Sequence, residues 1–172
     1  MSTTLSRRTF LKAGIFGGLA LVTAGGIYRL THAADTPRHF TLDADARAIL
    51  AAVAPVILAG AIKHGEPDVE AAVERTHKTI LALPLATQKE IQDLFALLAL
   101  TATRRFLAGL SADWADAPPA EIAAFLQRWR VHSLGTLQTI YHALHDLVIG
   151  GWYGDESTWD AIGYPGPLKA LS

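Results

Sequence analysis

The chain has 172 residues, 15 lysines and arginines against 16 aspartates and glutamates, and no cysteine. That length suits one domain and is short for two. A formal net charge of −1 gives no electrostatic case for nucleic acid, and the missing cysteines exclude disulfides, thiolate metal sites, iron–sulfur clusters and covalently attached haem.

The N-terminal stretch SRRTFLK, Ser6 to Lys12, pairs Arg7 and Arg8 ahead of Phe10 and Leu11. It resembles the twin-arginine export signal of bacteria. The run that follows, AGIFGGLALVTAGGIY, has the length of a signal h-region and falls short of the roughly 20 residues of a membrane span. Thr31-His32-Ala33 offers a small-residue cleavage site. Residues 1–33 are therefore expected to be an export signal, cleaved after Ala33 or kept as an anchor, and residues 34–172 a single helical domain.

Residues 34–40 read as an extended lead-in. Helical periodicity begins at Leu42 and carries Ile49, Leu50, Val53, Val56, Ile57 and Ile62 at spacings of three and four. Pro55 is expected to kink or split this first helix, and Gly65 and Pro67 to end it. A second helix is expected from Pro67 to Leu83, with Asp68 and Glu70 at its positive start and Pro84 as its stop. The third opens on TQKE, where Thr87 and Glu90 have the spacing of a capping box. It continues through LFALLALTATRRFLAGL to Gly109. Its apolar middle predicts the buried centre of a bundle. After the loop SADWADAPP a fourth helix starts near Pro119 and Glu121. A fifth runs from about Ser133 to Tyr153, with Leu134, Leu137, Tyr141, Leu144, Val148 and Gly151 as its core stripe. No alternating strand pattern stands out. The fold class is all-α: about five helices in a bundle, closed by an irregular aromatic, glycine- and proline-rich tail.

Few residues suggest chemistry. His142 and His145, with Asp146 beside them, share a helix face, a spacing used by bundle metal sites, but the Glu-x-x-His pattern of di-iron bundles is taken to be missing, and solvent-facing histidines are the plainer reading. Arg104, Arg105, Arg128 and Arg130 suit an anionic ligand, or simply pairing with neighbouring acids. No nucleophile–base set or glycine-rich phosphate loop appears, so nothing argues for catalysis by this chain alone. The tail, GGWYGDESTWDAIGYPGP, is more informative. It holds Trp152, Tyr153, Trp159, Ile162, Tyr164 and Pro165 among glycines and prolines, of which Gly163, Pro165, Gly166 and Pro167 will not form helix. These residues are candidates for an internal clasp, a partner interface, or both.

The starts SRRTFLKAG, the central LFALLALTATRRFLAGL and the tail WYGDESTWDAIGYPGP together resemble the small (gamma) subunits of bacterial membrane-associated flavin dehydrogenases, the group that serves gluconate, sorbitol, fructose and FAD-dependent glucose dehydrogenases. The likeness is greatest to a shorter branch encoded with oxidoreductases of the glucose–methanol–choline (GMC) type. It implies a chain with no flavin, haem or metal of its own. It implies a large FAD-binding dehydrogenase subunit as partner, the twin-arginine translocase as carrier, and a periplasmic location with peripheral or anchored membrane association. A flavoprotein takes up FAD in the cytoplasm and must fold there, which would explain a signal for folded cargo. The other expectation is an independent periplasmic bundle that binds a small ligand, metal or haem through His142 or His145.

Overall fold

The computed structural model describes residues 39–62 and 65–166. Arg7, Arg8, Phe10 and Leu11, the residues expected to form an export signal, lie outside them. Within the described residues the chain is all-α, as its periodicity predicts. The helices are α1 (Ala44–Ile57), α2 (Glu66–Leu81), α3 (Leu85–Ala99), a single turn α4 (Thr101–Thr103) that continues as a π-helical turn over Arg104–Ala108, α5 (Pro119–Arg130) and α6 (Gly135–Tyr153). Two short 3₁₀ turns, Glu156–Thr158 and Asp160–Ile162, follow. No helix among the described residues is long and apolar enough to cross a membrane.

The centre of the bundle is α1 rather than α3. Helix α1 packs against α2, α3, α5 and α6, and Ala46, Ile49, Leu50, Val53 and Ala54 are all but sealed from solvent. Its alanines let neighbours approach from several sides. Helix α3 buries Ile91, Phe95 and Leu98 on one face, while Leu100 stands more than half exposed. Its apolar run exceeds what the fold covers.

Several local expectations change for physical reasons. Pro55 does not split α1: it lies near the C-terminus, where the missing N–H removes a single intrahelical bond, and the Leu58 amide still reaches the Ala54 carbonyl at 2.9 Å. The Thr87–Glu90 capping box does not form. Helix α3 begins earlier, at Leu85 behind Pro84, so Thr87 already lies within its first turn. Gln88 takes over the connection instead. Its Nε2 donates to the Leu81 and Leu83 carbonyls at 3.1 and 2.8 Å, and its Oε1 accepts from the Phe40 amide at 2.9 Å. One buried amide thus satisfies carbonyls at the end of α2 and ties down the extended lead-in. Leu134 precedes α6 and is exposed, so the core stripe of that helix starts at Leu137.

The longest helix pairing is α2 along α6. Gly151 makes it possible: a Cβ there would sit 3.0 Å from the Thr76 backbone nitrogen and Cα. Beyond α3, Leu100 adopts an extended conformation (φ −62°, ψ 128°) that breaks the expected single helix in two. Aromatic N–H groups take up helix-end carbonyls on both sides of the break: the Trp114 indole donates to Leu98 O at 3.0 Å at the end of α3, and Trp129 donates to Leu107 O at 3.2 Å at the end of the π turn. Gly109, with φ +67°, ends the π turn. Trp114, Phe125 and Trp129 then stack edge-on at centroid distances of 5.7 and 4.7 Å.

Candidate functional site

The C-terminal tail is built on the last turn of α6. Trp152 is buried there, and the Arg75 guanidinium of α2 lies 4.5 Å from its ring centroid, a cation–π distance. Arg75 also donates from Nε to Asp155 Oδ2 at 3.0 Å and from Nη2 to Ser157 Oγ at 2.9 Å. One arginine therefore covers the tryptophan and holds the chain that leaves it. Asp155 is at the same time the N-cap of the first 3₁₀ turn, accepting from the Ser157 amide at 3.0 Å and the Ser157 hydroxyl at 2.6 Å. The Ser157 hydroxyl and amide, with Arg75 adding a smaller effect, hold the Asp155 carboxyl below its usual pKa.

The chain then folds over the end of α6. Thr158 is buried, with its hydroxyl 3.1 Å from the Trp152 carbonyl and 2.8 Å from that of Asp155. The Trp159 indole donates to the Tyr153 carbonyl at 2.7 Å. Helix-end carbonyls are thus again satisfied by side chains. The Tyr164 amide bonds the Trp159 carbonyl at 3.0 Å, and its ring meets the Trp159 ring edge-on at 5.1 Å. Gly166 sits against the other side of that indole. Its φ of +85° suits glycine, and a Cβ would lie 3.2 Å from a Trp159 ring carbon.

The six tail residues divide accordingly. Trp152 is buried, Tyr153 and Trp159 are partly buried, and Ile162, Tyr164 and Pro165 face solvent. A groove of about 330 Å³ runs beside the tail, between Gly60 and Ala61 on one side and Trp152, Thr158 and Ile162 on the other. Comparison of the chain with family models, with curated proteins and with solved structures finds no match. The functional reading therefore rests on the residues themselves.

The other candidates are dispersed. His142 is exposed and His145 partly buried; both rings contact Tyr141, and His145 Nδ1 lies 3.1 Å from Asp146 Oδ1. A Glu-x-x-His spacing does occur on α2, Glu74 to His77, which attention to the fifth helix passes over. Glu74 is occupied by Arg47 Nη2 at 2.8 Å, and among the described residues no three His, Cys, Asp or Glu side chains are placed to hold a metal ion. Of the arginines, the buried Arg104 pairs with Asp113; Arg105, Arg128 and Arg130 are exposed, and Arg128 donates to the Ala108 carbonyl.

Residue-type reasoning missed Arg75 and Phe106. The Asp155-x-Ser157 spacing is a local turn signal that could have located the 3₁₀ start. Arg75 is 80 residues from Asp155, and nothing local links them.

Proposed function

We propose that this chain is the non-catalytic small subunit of a periplasmic FAD-dependent dehydrogenase of the GMC type, and that it escorts the folded large subunit through the twin-arginine export route. One observation carries the reading: SRRTFLK stands ahead of a helical bundle whose tail is clamped at Trp152 and Trp159 yet presents Ile162, Tyr164 and Pro165 to solvent. Large exposed apolar and aromatic side chains on a fixed frame are suited to protein contact. FAD belongs to the partner, and the escort's part is to bind the loaded flavoprotein and lend it a signal.

The experiment replaces both Arg7 and Arg8 by lysine in the native host and fractionates the cells. The flavin-dependent dehydrogenase activity should then stay with this chain in the cytoplasm. A partner that still reaches the periplasm at full level carries its own signal and overturns the proposal.

A further inference from the structure

The π-helical turn reverses the usual order of polar and apolar side chains. Arg104 is 8 % exposed and Phe106, two residues on, is 90 % exposed. A regular helix running on from Thr101–Thr103 would turn its side chains about 100° per residue, and the wider π turn changes which of them meet the core. Arg104 goes inward and pairs with Asp113, although its Nε finds no acceptor. Phe106 goes outward. The last turn of α5 docks on the same segment: Trp129 and Arg128 donate to the Leu107 and Ala108 carbonyls. Val131 and Leu134, just beyond that turn, are 65 % and 56 % exposed. The exposed Arg105 and Arg130 flank these apolar side chains in sequence.

We propose that Phe106, Val131 and Leu134, with Arg105 and Arg130 as a cationic rim, form a docking surface for a second folded protein that offers an apolar pocket bordered by acidic side chains. Naming that protein as the flavoprotein rests on the escort reading above; the surface itself does not. Charge and composition select a protein over a lipid surface. Recognition of anionic lipid uses clusters of about 4–8 lysines and arginines. Here the exposed cations are three arginines, of which Arg128 is held by the Ala108 carbonyl, and the chain has no lysine between Lys89 and Lys169. Arginine and aromatic residues are enriched at protein interfaces, where lysine is depleted. Two hydrogen bonds from α5 fix the backbone beside Phe106, so little conformational entropy remains to be lost when its ring is buried.

The test installs a photoreactive side chain, Phe106→p-benzoylphenylalanine, in the full-length chain in its native host. Ala86, exposed at the start of α3, receives the same group as a control. Irradiated complexes are mapped by mass spectrometry and scanned for flavin absorbance. Position 106, and not 86, should yield an adduct with one second protein at an apolar site flanked by Asp or Glu. Phe106→Ala should then weaken binding to that purified protein by about 30-fold or more, the range of an anchor residue. Arg105→Glu with Arg130→Glu should weaken it further and flatten its salt dependence. Melting of Phe106→Ala alone should stay within about 3 °C of the parent, since the ring touches little of its own fold. A flavin-bearing adduct supports both proposals. An adduct with a flavin-free protein of the stated surface keeps the docking site and overturns the escort reading. An adduct with lipid or a second copy, no adduct at 106, or unchanged affinity of Phe106→Ala overturns the docking site. A flavoprotein that still co-purifies in that case leaves the escort reading standing.

Discussion

Arg75 and Arg104 each belong to a site with a large aromatic side chain, and the two sites use the pair in opposite senses. At the base of the tail the ring of Trp152 is inside and Arg75 lies over it, with its remaining donors spent on Asp155 and Ser157. At the π turn the guanidinium is inside and the ring of Phe106 is outside. Burying a phenylalanine stabilises a fold by about 2–3 kcal/mol, and burying an arginine costs unless its donors are met. The first arrangement therefore stabilises the chain by itself. The second forgoes that gain and leaves the ring in solvent. The difference separates residues that close this fold from residues that its own packing leaves uncovered.

The comparison breaks most readily at Trp152. Trp152→Ala removes a buried indole together with the surface on which Arg75 rests, and should lower the unfolding free energy by about 3–4 kcal/mol, measured by urea denaturation. A loss below about 1 kcal/mol would mean that the tail base is no more integral than the π turn. A smaller effect is expected at Gly166. Gly166→Ala meets both a positive φ and the Trp159 ring, and should cost about 1–2 kcal/mol. Hydrogen exchange at the Tyr164 amide reads it directly, because the bond from that amide to Trp159 is what the displaced loop would lose.

The smallest effect is one of pH. The folded-state pKa of Asp155 lies below its ordinary value of 3.8, so the unfolded chain binds the proton more readily. The stabilisation is complete above the ordinary value, declines as pH falls through the folded-state value, and is absent below both. Tail release followed by Trp fluorescence should therefore show an acid-side step below about pH 4 that Asp155→Asn lacks. An identical acid limb in both proteins would show that Arg75 and Ser157 hold the turn without the carboxylate. This sharpens the contrast with Arg104, whose partner Asp113 is largely exposed.

Much of the fold was legible from local pattern. Helix α5 starts at Pro119 as expected, α2 and α6 end close to their predicted limits, and Gly109 is a stop. Periodicity, proline and glycine act within a few residues, so each signal is read where it stands. The tail was legible as an aromatic segment that ends the last α-helix for the same reason, while its two 3₁₀ turns were not read. Which of its rings would be covered was not, because Trp152 is sealed by Arg75 from another helix while Ile162 and Tyr164 have no comparable cover.

Other features had conflicting or silent local signals. TQKE has the spacing of a capping box, yet the helix starts behind Pro84 at Leu85, two residues ahead of Thr87. An apolar run pointed to α3 as the centre, yet the alanine-rich α1 admits closer neighbours on more sides. The inversion of Arg104 and Phe106 has no sequence signal of its own, since both fall within a stretch that reads as ordinary helix.

The sequence by itself determined an all-α chain, the approximate extents of its main helices and a tail through which no α-helix continues beyond Tyr153, because hydrophobic spacing and restricted backbone angles are properties of neighbouring residues. Only the tertiary structure decided that α1 is the centre, that Gln88 closes the α2–α3 connection, that Arg75 clamps the tail and that Phe106 faces outward. Each depends on which carbonyls, rings and charges are brought together from distant parts of the chain, and packing alone sets those distances.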